Sequence, residues 1–356
     1  MVNGEGDVMV LAPPRYSQQE KSLLLGYVMA LKADRIREFL AEHDEPTSGA
    51  KSDLRERIAE CLDAETLGFE DLVGLLDSVA PWGKQHVYLY AGPAQSVAAW
   101  RGRAHVDRLL KKRGVAKLLN ARLPLALPKE PTLSSIEYRE GRSLRVVAVE
   151  RREYYERRED MDDKKELDGR VVEMRAFLSE VTRGMAIFEW NLVSNEAEMR
   201  ITQLPSGSDY ESVEQSLAGL VRPWLDLSPF AKLDIRAAIG RLHDLERQGH
   251  PEARSHEIGY KTLGGRTISA QSPTSNVSVF GETDVDTAMD SVHGHGVGHT
   301  GNFYWLGSDA SQAHGNPLQR EVHTMLVGSK SRINFTAPNR QQDVRHVLSR
   351  VRALSH

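Results

Sequence analysis

Three prolines within eight residues, Pro124, Pro128 and Pro131 of the stretch LPLALPKEP, forbid a regular helix there and divide the chain into two textures. Upstream of them, apolar residues recur at helical spacing. Ser17 and Glu20 stand in capping-box register, and Leu23, Leu24, Tyr27, Val28 and Leu31 continue a first stripe. Ile36, Phe39 and Leu40 mark a second helix, Leu54, Ile58, Cys61 and Leu62 a third, and FEDLVGLLDSV after Gly68 a fourth. Downstream, from Leu133, the period drops to two. SSIEYREGRSLRVVAVERREYYERRED turns at Glu140-Gly141, and RVVEMRAFLSEV, GMAIFEWNLV and EAEMRITQL follow, with turn signals at Arg183-Gly184 and Ser194-Asn195. Helical patterns at 209–222 and 229–248, a hairpin in REVHTMLVGSKSRINF and a closing helix in RQQDVRHVLSRVRALS complete the chain. The Gly-, Ser- and His-rich stretch 262–316 carries no periodicity that orders it.

The expected fold is therefore α+β. A polar leader occupies 1–16, a helical domain 17–80, a connector 81–132 and a larger domain of antiparallel strands and helices 133–356. Within the connector, KQHVYLYAGP reads as a short buried strand at 87–90, stopped by Gly92-Pro93. A basic helical segment follows it, and the prolines form an extended linker. At 356 residues the chain exceeds what one core usually organises, which agrees with more than one domain.

A net charge of −4, from 46 basic and 50 acidic residues, excludes a protein whose whole surface is an anion binder. Any such surface has to be a patch. The most basic window is 101–122, where eight Arg or Lys face one acid, Asp107. The single cysteine, Cys61, permits no internal disulfide and lies on the apolar face of the third helix, where it reads as core. The first residues lack the basic start and apolar run of a signal peptide, and no stretch approaches a membrane span. A cytoplasmic protein without membrane contact, or a nuclear one in a eukaryote, is the expectation, and the sequons at Asn276 and Asn334 carry no weight in it.

Between the second and third helices stands Pro46-Thr47-Ser48-Gly49, followed by Lys51, Leu54, Arg57 and Ile58, with Leu31, Ile36, Phe39 and Leu40 before it. In kind and spacing, residues 31–63 resemble a SAP domain, the helix-extension-helix module of chromatin and other DNA-handling proteins. The resemblance implies a DNA contact through Thr47, Ser48, Gly49, Lys51, Arg55 and Arg57. Physically, Ser48 or Thr47 is placed to cap the third helix, whose free N–H groups and positive dipole end face an anion. His43-Asp44-Glu45 replaces the family's basic residue, Gly and Leu, so Asp44 is expected at a left-handed position. Residues 32–62 hold six basic and eight acidic residues, so further phosphate contacts are expected from Arg101, Arg103, Arg108, Lys111, Lys112, Arg113 and Lys117.

Two other classes compete. A metal-dependent nuclease would use His293, His295 and His299, with Asp284, Asp286 and Asp290 just upstream. The H-x-H-x3-H spacing in a glycine-rich run reads instead as a mobile loop, and the expectation is no metal and no cofactor. Phosphate-binding, nucleophile-elbow and Cys-pair motifs are absent from the sequence. A protein adaptor is the third class. The reading carried forward is a non-enzymatic, DNA-associated protein whose C-terminal domain binds an unidentified protein partner or self-associates.

Overall fold

The computed structural model describes residues 17–205, 207–308 and 316–356, so the leader expected at 1–16 lies outside the described residues. The chain divides into two compact units, residues 1–78 and 79–356. Its described residues form a mixed α+β protein in which ten α-helices accompany a large antiparallel sheet.

The first unit is helical. α1 (Gln18–Met29) starts at Ser17, whose Oγ accepts the Glu20 N–H at 3.2 Å while its own N–H donates to Glu20 Oε2 at 2.9 Å. Both halves of the capping box are made. α2 (Ala33–Glu42), α3 (Lys51–Asp63) and α4 (Phe69–Val79) follow. Leu24, Val28, Ile36, Leu40, Leu54 and Ile58 are fully buried, the stripes that the spacing predicts. Leu23 is the exception, facing outward at 38% exposure.

The second unit opens with β1 (Gln85–Ala91) and the short helix α5 (Val97–Trp100). Then come α6 (Arg103–Lys112), β2 (Thr132–Arg139), β3 (Ser143–Arg157), β4 (Asp163–Leu167), β5 (Arg170–Met174), β6 (Phe177–Asn191) and β7 (Glu196–Thr202). α7 (Tyr210–Val221), β8 (Ala231–Lys232), α8 (Arg236–Arg247), β9 (Ala253–Thr262), β10 (Thr267–Gln271) and α9 (Thr283–His295) lead to the last elements. These are β11 (Gly296–Trp305), β12 (Val322–Val327), β13 (Arg332–Phe335) and α10 (Gln341–Leu354). The sheet runs β10-β9-β11-β12-β13-β1-β7-β6-β3-β2, with β8 beside β1, and every pairing is antiparallel.

Residues 81–132 are thus no connector. β1 pairs with β13 on one side and β7 on the other, and six of its seven residues are buried. Strand alternation sends Tyr88 and Tyr90 into one core and Val87 and Leu89 into the opposite one. α5, α6 and α7 cover the first, an aromatic cluster in which Trp190 and Phe230 meet edge to face at 4.9 Å. α8 and α10 cover the second. An apolar strand followed by a helix looks like a small module from its own sequence, yet its partners lie far along the chain.

Two other expectations are corrected. Arg183-Gly184 is not a turn: β6 runs straight through it, with Gly184 opposite Glu150. Glycine is needed there because an added Cβ would stand 2.3 Å from Nε of the buried Arg152. The actual turn is at Asp168-Gly169, both in left-handed conformation, within the two-stranded β4–β5 sheet. The stretch 262–316, which periodicity does not order, contains β10, α9 and β11 among its described residues. Among the described residues, no helix is long and apolar enough to cross a membrane.

The core around β1 carries a pH dependence. His86 lies against the Tyr210 ring at 3.8 Å, and burial, reinforced by Arg332, lowers its pKa to about 3. Burial also lowers His243, His323 and His346. A histidine held neutral in the fold but free to protonate near pH 6.5 when unfolded gives stability that is complete above that pH and lost as pH falls below it. Thermal melts from pH 7.5 to 4 should show a falling midpoint. His86→Gln should flatten the fall by roughly 1–2 kcal/mol at pH 5, and an unchanged profile would remove His86 as a source.

Candidate nucleic-acid interface

The turn between α2 and α3 is assembled by arginines that face inward. Arg57 Nη1 donates to the carbonyl oxygens of Pro46 and Ser48 at 2.8 and 2.9 Å, and Arg37 Nη2 donates to that of Gly49 at 3.1 Å. The cap expected from Ser48 or Thr47 is corrected. Ala50 is the N-cap, and its N–H donates to Asp53 Oδ2 at 2.8 Å. A carboxylate in the first turn makes a charge-assisted bond and complements the helix dipole, which a neutral hydroxyl does less well. Gly49 has φ +110, and an added Cβ would lie 2.7 Å from that same carboxylate, so no other residue fits. Asp44 has φ +59, the left-handed position expected of it.

Of the six residues singled out in this turn, Ser48, Gly49, Lys51 and Arg55 are exposed and Thr47 is half-buried. Arg57 is engaged by the turn itself. Lys51 begins α3 and, like Arg55, has no ion-pair partner among the described residues. The turn therefore offers two free cations beside a helix end that Asp53 already occupies.

The basic segment is anchored from below. Trp100, Val106 and Leu110 are buried in the α5–α6 side of the core, and Glu140 Oε1 accepts the Arg103 N–H at 3.2 Å. Two of its cations belong to the fold. Arg101 donates to the carbonyls of Leu192 and Val193, and Arg103 pairs with Asp107 at 2.8 Å. Five more, Arg108, Lys111, Lys112, Arg113 and Lys117, are exposed and have no acid partner among the described residues, and Arg122 closes the segment. Arg108, Lys111 and Lys112 are spaced to share one face of α6, and Lys117 stands in the one-turn helix Ala116–Leu118. Lys111 and Lys112 also suit the negative end of the α6 dipole, a structural use that needs no ligand.

The histidine-rich run is no loop. α9 continues through His293 and His295, and His299 lies in β11. His293 Nε2 meets Asp244 at 2.8 Å and its ring stacks on His243 at 4.6 Å, while His295 is exposed. Asp286 and Asp290 pair with Arg247, and Asp290 also meets His243 Nε2 at 2.8 Å. His243 Nδ1 faces the Tyr260 hydroxyl at 2.8 Å. The carboxylates thus bind α9 to α8 rather than converge on an ion. No group of three His, Cys, Asp or Glu among the described residues is placed to hold a metal.

Sequence reasoning missed a cleft of about 560 Å³ between α7 and the sheet. Its floor is Tyr90, Phe188, Met199 and Phe230. At its side, Glu214 accepts from the Tyr90 hydroxyl at 2.7 Å and from Lys232 Nζ at 2.8 Å. These residues come from five separate elements, so no local motif announces them. No protein-family model matches the chain, and no curated protein matches it either.

Proposed function

We propose that this protein is a non-enzymatic, DNA-associated protein that grips the phosphate backbone, while its larger unit also binds a protein partner or a second copy. The observation that carries the reading is the set of five exposed, acid-free cations, Arg108, Lys111 and Lys112 on a helix anchored by buried Val106 and Leu110 and Arg113 and Lys117 just after it. A phosphate contact needs this kind of group, a solvated cation on a rigid support, and it carries no base information. The SAP-like turn adds Lys51 and Arg55, and Thr47, Ser48 and Gly49 bring backbone close to the same helix end. Arg57 serves the first unit's contact by shaping the turn, and Arg101 and Arg103 serve the second unit's by holding the basic segment in place.

The test is a mobility-shift titration of the full chain on duplex DNA across salt. Each phosphate neutralised adds about 0.9 to the slope of log affinity against log salt. Lys111→Glu with Lys112→Glu should flatten that slope by roughly 2 and weaken every duplex sequence alike. Lys51→Glu should weaken binding several-fold. Affinity and slope unchanged in both variants would defeat the reading and favour a protein adaptor. Cleavage of the labelled duplex with magnesium, manganese or zinc present would favour the nuclease.

A further inference from the structure

β3 and β6 pair along their whole length, from Ser143↔Asn191 to Arg157↔Phe177, but their neighbours stop early. β2 reaches only Val149 of β3, and β7 only Ala186 of β6. Past those points a two-stranded ribbon continues alone toward the separate β4–β5 sheet. Such a ribbon is marginal by itself in water. Of the fifteen exposed large apolar side chains among the described residues, nine fall between 155 and 181: Tyr155, Phe177, Leu178 and Val181 on the ribbon and five more at 161–174, which marks the ribbon and the β4–β5 sheet as the surface that most needs covering.

The pairing places Tyr155, Phe177 and Val181 on one face, at 66, 56 and 38% exposure. The occupant follows from charge and register. Residues 150–183 contain nine basic and eleven acidic residues, so a polyanion gains nothing here, and neither does a partner of one sign. A sign-mixed surface is complementary to its own copy. The outer edge of β3 is already met at Arg151, whose N–H donates to Pro128 O at 2.6 Å, whereas among the described residues the edge of β6 away from β3 has no strand beside 177–184.

We propose that two copies of this protein dimerise through the ribbon, with the outer edge of β6 pairing antiparallel to the same edge of the partner about a two-fold axis at Ser179. In that register Phe177 lies opposite the partner's Val181, Val181 opposite the partner's Phe177, and Ser179 opposite its own counterpart. All three pairs fall on the Tyr155 face. Edge pairing brings Phe177 and Val181 of the two copies into lateral contact and satisfies the free backbone N–H and C=O groups of both β6 edges. The arrangement is closed and isologous, and it removes the free strand edges that would otherwise recruit further chains.

This deepens the second-copy half of the proposed function, and its test contains no nucleic acid, so either half can fail without the other. Sedimentation of the full chain over a wide concentration range should show a monomer–dimer equilibrium. Phe177→Glu with Val181→Glu should weaken it about 30-fold or more and, at concentrations where the wild type is monomeric, leave the melting temperature unchanged, since both side chains are exposed. Ser179→Cys should then form a disulfide dimer under mild oxidant, because opposed strand positions lie ~4.5–5.5 Å apart, within disulfide reach. The native Cys61 is buried and does not compete. Leu263→Cys, at 94% exposure away from the ribbon, should not crosslink. A wild type that stays monomeric, a dimer that tolerates the double variant, or crosslinking through Leu263→Cys as fast as through Ser179→Cys would each overturn the proposal.

Discussion

Replacing Arg200 with methionine is expected to destabilise the larger unit by ~3–5 kcal/mol. Arg200 is 1% exposed, its guanidinium lies 4.0 Å from the centroid of the Trp82 ring, and it reaches Glu189 at 2.6 Å and Glu198 at 3.1 Å. Burial already pushes the Glu198 carboxyl upward, and Arg200 is the first charge that opposes the shift. Without it, two carboxylates share a desolvated site with Arg345, 3.1 Å from Glu189, and the more distant Arg352 left to help. Urea denaturation measures the loss. Adding Glu189→Gln and Glu198→Gln to Arg200→Met should restore much of it, because the cost comes from uncompensated charge rather than from the missing contact. A change below about 1 kcal/mol would mean the site admits enough water to screen the acids.

Ile58→Asp should unfold the first unit outright. Ile58 is fully buried among the apolar residues of α3, and a carboxylate there has no partner to ionise against. Losses above ~4 kcal/mol are typical of this mechanism, and a unit of this size has little stability to spare. Limited trypsin digestion should cut the variant within residues 17–78 while the fragment from 79 onward survives. Wild-type resistance in that region would show that this face of α3 is not packed.

How much of this was legible in the sequence depended on how far apart the interacting residues lie. Ser17 with Glu20, the stripes of α2 and α3, Asp44 at its left-handed position and the turn at Asn195 are local matters, and local spacing states them. Arg200 was not legible. Period-two reading of Glu196 to Thr202 puts Glu198 and Arg200 on the polar, water-facing side, and only Trp82 and Arg345, from distant segments, close over that side. β1 misled for the same reason. In the candidate interface, charge located the basic segment, but charge alone did not show that Arg101 and Arg103 spend their donors on Leu192, Val193 and Asp107 while Arg108 to Lys117 stay free. Nor did hydroxyl-capping preference foresee Asp53 reaching back to Ala50. A glycine looked like a turn at 184 because a requirement for space and a requirement for positive φ read alike as a single letter.

The place of β1 between β13 and β7 bears on how the chain is made. Gln85 meets Phe335, about 250 residues later. At synthesis rates of ~5–20 residues per second, β1 leaves the ribosome roughly 12–50 s before its C-terminal partner exists. During that interval one edge can pair with β7, but the other waits with Val87 and Leu89 uncovered, because α10, which helps close their core, is later still. Completion of the sheet is therefore a late, non-local event, slow by topology and most exposed to aggregation at this strand. Nascent chains arrested before residue 330 should bind chaperones or be digested near β1, and chains released after α10 should not.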